Sequence, residues 1–184
     1  MDCEKYISLL KTDKPQKKGI NPMSGQKIVY DALASMHIPY QKAEHKPMFT
    51  TEDMDDCHLD PAYKVSKNLF LRNAKGDRHY LVVTTVDKKA DLKSLAEEIG
   101  STRLSFGSEQ RLAKYLGVKP GSVSAFCVLN DENREVTVVF DEDLKPLGNF
   151  ALHPNENTAT IYIDFQDVVK LVQAHGNEVI YAKL

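Results

Sequence analysis

Tryptophan is absent from this sequence of 184 residues, cysteine occurs only three times and glycine nine times. Apolar runs are short, of the Leu81–Val83 kind, and none approaches the roughly 18 to 20 apolar residues that cross a bilayer, which excludes a transmembrane chain. Cys3, Cys57 and Cys127 form an odd set without CxxC spacing, which argues against a disulfide framework or a zinc site and for reduced thiols. Cys127 lies within an apolar run and reads as a core residue. Charge of one sign is not in excess either: 24 Lys+Arg stand against 26 Asp+Glu, a formal net charge of −2 with a pI near 6.3. The global basic surplus of many nucleic-acid binders is therefore missing. The N-terminal stretch MDCEKYISLLKTDKPQKK carries early acidic residues and no apolar segment leading to a small-residue cleavage site, which predicts no secretory signal and a cytoplasmic protein.

What is present is a regular succession of short patterns. Residues 1–22 read as an extension, with Tyr6, Ile7, Leu9 and Leu10 on one side of a short helix and Lys14-Pro15 and Asn21-Pro22 as punctuation; residues 23–184 read as one domain. Ser24 is placed to cap a helix with Ile28, Val29, Ala32, Leu33 and Met36 on one face, and Pro39 ends it. Tyr40–Glu44 reads as a strand, and the stretch holding Glu52, Asp53, Asp55 and Asp56 as an acidic helix or loop. Asn68–Arg72 and His79–Thr85 predict a hairpin around Ala74–Asp77. Two helices follow, one through Leu92, Leu95, Ala96 and Ile99 to Gly100, the other from Ser108 through Leu112, Ala113 and Leu116 to Gly117. Val123–Leu129 and Glu135–Phe140 read as paired strands around Asn130–Arg134. A strand near Phe150, a loop at His153–Asn157 and a strand at Thr158–Ile163 lead to a helix capped by Asp164 and ended by Gly176, then to a strand at Glu178–Ala182. Strands joined partly by hairpins and partly by helices predict a mixed-sheet α/β domain.

Three segments are rich in residues able to do chemistry. In Lys64-Val-Ser66-Lys67-Asn68-Leu-Phe-Leu-Arg72, strand geometry sends Lys67 and Asn68 to opposite faces, so only one points inward; Lys67 either serves a site or snorkels at a sheet edge. The loop Gly100–Ser108 holds Arg103 and several hydroxyls before a helix start, which suits either an anion site or a simple cap, and it lacks the GxxxxGK[ST] order of a P-loop. His153-Pro154-Asn155-Glu156-Asn157-Thr158 is a polar loop whose imidazole either shuttles a proton or braces backbone. No Ser/His/Asp or Cys/His set is evident, and the six histidines show no metal-ligand spacing, so neither a nucleophilic side chain nor a metal is expected.

Together these segments resemble the YbaK/ProX family of aminoacyl-tRNA deacylases, in its branch of freestanding prolyl-tRNA editing proteins. The matching stretches are His45-Lys-Pro47-Met-Phe49-Thr50, Ser66-Lys67-Asn68-Leu69-Phe70-Leu71, Arg103-Leu-Ser-Phe-Gly-Ser108, Leu116-Gly117-Val-Lys-Pro120-Gly121-Ser122-Val123 and His153-Pro-Asn-Glu-Asn157-Thr158-Ala159-Thr160. They run in family order from about Ser24 to the C-terminus. The resemblance implies a mixed, partly closed central β-sheet flanked by helices, and a pocket for the aminoacyl-adenosine end of a mischarged tRNA, most simply alanyl-tRNA(Pro), with cysteinyl or seryl esters as alternatives. It implies Lys67, Asn68 and His153 as catalytic residues, a pocket wall from Ser66, Gly121, Ser122 and Pro154, and tRNA contacts from Arg103, Lys64 and Arg72. It calls for no cofactor, and for tRNA as partner, with room for a transient contact with prolyl-tRNA synthetase or for a non-catalytic binding role. Two departures from the family pattern, Pro61-Ala-Tyr63-Lys64-Val65 before Ser66 and Asn155 after Pro154, bear on amino-acid specificity.

The net charge of −2 conceals opposed patches. Residues 64–78 set Lys64, Lys67, Arg72, Lys75 and Arg78 against Asp77 alone, whereas 44–61 and 131–143 are strongly acidic. A single RNA end entering one basic mouth needs only a local field, and the sequence predicts such a mouth at 64–78.

Overall fold

In the computed structural model, which describes residues 25–47 and 60–184, the longest strand grows from the segment already singled out. This strand, β2 (Lys64–Arg72), pairs antiparallel with β3 (His79–Thr85) from Ser66↔Thr85 to Arg72↔His79. Asn73 closes the hairpin: its Oδ1 accepts from the backbone N–H groups of Gly76, Asp77 and Arg78, the local bonding that makes Asn a turn former. Strand β3 is buried from His79 to Thr84 because it is covered on both faces. Beyond it come β5 (Val136–Asp141) and β8 (Val179–Ala182), both added in parallel.

The other edge of β2 carries a second wing. β7 (Ala159–Asp164) pairs antiparallel with β1 (Gln41–Glu44) on one side and β6 (Asn149–Leu152) on the other, and β6 joins β2 in parallel through Lys64↔Phe150 and Val65↔Ala151. The short β4 (Ser105–Phe106) takes the far end of the same edge at Leu71 and Arg72. The resulting mixed sheet has the order β1-β7-β6-β2-β3-β5-β8, with β4 off the path, and helices flank it.

Side-chain alternation explains the two apolar layers. Phe70, Leu81, Val83, Val138 and Phe140 meet α1 (Gln26–Ser35), α3 (Glu109–Leu116) and α4 (Phe165–His175) through residues such as Leu33, Leu112, Phe165 and Val172. The alternate residues Leu71, Tyr80, Val82 and Val139 meet Leu95 and Ala96 of α2 (Leu92–Glu98). Helix starts follow the expected chemistry: Asp91, Ser108 and Asp164 each accept a backbone N–H of the first turn, while Gly117 and Gly176 end α3 and α4 in the left-handed region. At α1 the N-cap is Gly25, with no side-chain capping bond. Ser24, the extension 1–22 and the acidic stretch with Glu52, Asp53, Asp55 and Asp56 lie outside the described residues.

One expectation fails. Val123–Leu129 is not a strand paired with Glu135–Phe140; Ala125–Asn130 is a 3-10 helix, and β5 pairs with β3 and β8 instead. Ser124 caps it by accepting from the Phe126 N–H, while the Cys127 sulfur accepts from the Ser124 N–H. Ala125, Phe126, Cys127 and Val128 are all fully buried, so the segment is apolar on every side and carries no period by which helix and strand could be told apart.

Candidate functional site

Because β6 leaves β2 after Val65↔Ala151 and β4 joins only at Leu71, the edge of β2 from Lys67 to Leu69 has no strand beside it among the described residues. This notch has Ser66, Lys67 and Asn68 on one lip. On the other, the chain leaving β6 supplies His153 and Pro154, a few residues past the paired Val65 and Ala151. The loop before the 3-10 helix meets this second lip: the His153 ring hydrogen-bonds the Val123 backbone, and the Ser122 carbonyl accepts from Cys127. Gly121 of this loop has φ 83, and a Cβ there would meet nothing within 4 Å. The register thus sets the backbone of Ser66, Lys67 and Asn68 just past one side of the β2–β6 seam and His153 and Pro154 just past the other, with Ser122 tied to Cys127 in the loop that meets His153.

Within the notch the side chains divide as alternation requires. Lys67 lies across from Thr84, and its Nζ donates to the Lys88 carbonyl at 3.0 Å. Thr84 in turn donates to the buried Asp141 at 2.7 Å, and Lys88 bridges Asp141 and Asp143. Asn68, on the opposite face, donates from Nδ2 to Ser66 Oγ at 3.3 Å, leaving its Oδ1 buried without a partner. The Nδ1 of His153 is likewise buried and unpartnered. Desolvation lowers the His153 pKa to about 4, nearby His45 pushes it the same way, and the Val123 bond opposes them. The ring is therefore neutral at pH 7, and Nδ1, the nitrogen not bonded to Val123, offers a lone pair. His45 is itself fixed between the Lys46 carbonyl and Thr160 Oγ1.

Lys88, Asp141 and Thr84 stand outside the expected site residues, and Asn155 is expected only to bear on amino-acid specificity. Lys88 and Asp141 are 53 residues apart and belong to no local motif; only the strand register joins them. His45 and Asn155 do stand in motif stretches.

The three basic residues expected to contact tRNA are spread out. Lys64 and Arg72 occupy opposite ends of β2, about 26 Å apart at the usual rise per strand residue. Arg72 is turned onto the Asn73 and Ala74 carbonyls, and Arg103 lines a separate cleft against α2 with Lys93, Glu97 and Leu104. The positive run 64–78 is thus a line along a strand and a hairpin, not one mouth. In the Gly100–Ser108 loop, Ser101 accepts from Tyr80, Thr102 from the Ala74 N–H and Ser108 from the Arg111 N–H, so these hydroxyls serve the fold. Among the described residues no three His, Cys, Asp or Glu side chains are grouped to hold a metal ion, and no helix is long and apolar enough to cross a membrane.

A family model for the aminoacyl-tRNA editing domain matches residues 45–171, which contain both lips of the notch. The chain belongs to this family. Among editing-domain relatives it is 48% identical over 155 residues to the prolyl-tRNA editing protein ProX of Acetoanaerobium sticklandii, covering 84% of this chain and 94% of that one. It is 30% identical over 156 residues to the prolyl-tRNA synthetase associated domain-containing protein 1 of Danio rerio, with 84% of each chain covered. A solved structure described provisionally as a trans-editing enzyme for prolyl-tRNA synthetase superposes with a TM-score of 0.66 at 18% identity, over 90% of this chain and 99% of that one, and shares the editing-domain fold.

Proposed function

We propose that this editing domain is a trans-acting deacylase that hydrolyses the ester of mischarged aminoacyl-tRNA, with alanyl-tRNA(Pro) as its principal substrate. The observation that carries this reading is the unpaired edge of β2: the Lys67 ammonium lies on one face, the buried and unpartnered Asn68 Oδ1 on the other, and His153 Nδ1, also buried and unpartnered, just past the β6 seam. The 48% identity to a prolyl-tRNA editing protein supports the choice of tRNA.

An aminoacyl ester is already activated, so the site has only to place a water against the carbonyl and stabilise the developing oxyanion. Lys67 uses one of its N–H donors on the Lys88 carbonyl and has others for the substrate's phosphate or carbonyl region. Backbone N–H groups along the unpaired edge of β2 add donors of fixed direction. Asn68 and His153, as acceptors, suit the α-ammonium of the amino acid or the attacking water. A vicinal ribose hydroxyl of the substrate assists in activating that water. Prolyl esters are rejected by size, which a rigid pocket does more readily than it rejects a smaller residue. The relatives named for association with prolyl-tRNA synthetase fit a transient contact with that enzyme and a place in the cytoplasm, where tRNA is charged.

The test is deacylation of alanyl-tRNA(Pro) under single turnover, with seryl and cysteinyl esters on the same tRNA for comparison. Lys67→Ala is expected to lower the rate by roughly a hundredfold or more with the fold intact. A folded Lys67→Ala protein at wild-type rate would remove Lys67 from the mechanism, and a wild-type protein inert on all three esters would leave a binding module.

A further inference from the structure

The His153 loop and the 122–127 segment are tied together by two side chains that the deacylase mechanism does not use. Asn155 is 2% exposed and sits at φ 62, a left-handed conformation that Asn tolerates better than most residues. Its Nδ2 donates to the Phe126 carbonyl at 3.4 Å, its Oδ1 accepts from the Cys127 thiol at 3.3 Å, and its N–H donates to the His153 carbonyl at 3.0 Å. Cys127 reaches the other wall: its sulfur accepts from the Ser124 N–H at 3.1 Å and lies 3.4 Å from the Ser122 carbonyl. One thiol proton thus stands between Asn155 and Ser122, and complete burial pushes the thiol pKa up to about 12, which keeps that proton in place. The two walls meet again where the His153 ring bonds the Val123 backbone.

We propose that Asn155 and Cys127 are positioning residues that clamp the 122–124 and 153–155 walls at a fixed spacing and thereby set the size of amino acid the pocket admits. The proposal rests on the deacylase reading above. An apolar side chain at 155 would strand the Phe126 carbonyl and the Cys127 thiol and let the walls part, so the cost falls on discrimination between a small and a larger ester before it falls on the reaction.

Asn155→Gly isolates the clamp, since glycine keeps the positive φ and loses both side-chain bonds. Its ratio of single-turnover rates on alanyl- and prolyl-tRNA(Pro) is expected to fall about tenfold, mainly through faster prolyl hydrolysis, the scale on which a loosened pocket loses one small group's worth of selectivity. Cys127→Ser, which keeps a donor and an acceptor, should hold the ratio better than Cys127→Ala. A general loss of stability would slow both esters together and leave the ratio unmoved. Amide hydrogen exchange gives a readout independent of activity: in Asn155→Gly the 122–124 and 153–155 amides should accelerate together. An unchanged ratio, or acceleration confined to 153–155, overturns the clamp. If the wild type hydrolyses neither ester, the deacylase reading fails on its own, and exchange alone decides whether the two walls are coupled.

Discussion

His153 has given up much of its basicity to sit in a dry place, and this has a cost outside the chemistry. Its pKa falls from 6.5 to about 4 in the folded chain, so between those values the unfolded state binds the extra proton. Stability contributed by the neutral ring is therefore complete above about pH 6.5 and is lost as the pH falls toward 4, on the order of 3 kcal/mol in all. His79, also lowered by burial and then by Arg111, acts in the same direction. Urea denaturation of wild type and His153→Gln across pH 4 to 7 should show a shallower slope in the variant; equal slopes would mean that the ring is solvated. At this scale the sequence was informative where residues stand together, as in Ser66-Lys67-Asn68 and His153-Pro154. It was silent where partners are distant, as with Asp141 and Lys88, and for Asn155, which it tied to specificity, it showed neither the positive φ nor the bond to Cys127.

Elements with punctuation were legible. Asp91, Ser108 and Asp164 open helices, and Gly117 and Gly176 close them, because capping is chemistry within a few residues. The 3-10 helix at Ala125–Asn130 was not, since complete burial leaves no polar face to mark its period. Its start rests on Ser124, and Ser124→Ala should cost about 1 kcal/mol in thermal or urea unfolding, the usual price of a lost cap. The end of α4 is stricter. Gly176 has φ 100, and a Cβ there would come within 2.5 Å of Arg134 Nε, which is itself held by the His175 carbonyl. Gly176→Ala should destabilise by about 2 kcal/mol through strain and displacement of that arginine, and truncating Arg134 to alanine in the same chain should recover part of the loss.

At the scale of the molecule, the mixed sheet was legible from strands alternating with hairpins and helices, whereas the order of strands, set by pairings as distant in sequence as Lys64↔Phe150, was not. Charge shows the same limit. A run that is basic in sequence is drawn out along β2, so its members reach different parts of a bound RNA. If Arg72 and Lys64 each meet a phosphate, each alanine substitution should weaken tRNA binding and reduce the slope of log affinity against log salt by about one, with the pair additive. A contact confined to one end would lower the slope for one substitution only.

The join between β6 and β2 consists of Lys64↔Phe150 and Val65↔Ala151, the shortest along the strand path. Both lips of the notch hang from this seam, and the wings on either side have their own, longer ladders. The sheet can therefore part here without melting elsewhere, and sub-global opening at Lys64–Ser66 and Ala151–Leu152 should require less free energy than unfolding of β3 or β5. The notch proposed for the substrate is thus also the place where the folded chain is expected to come undone first.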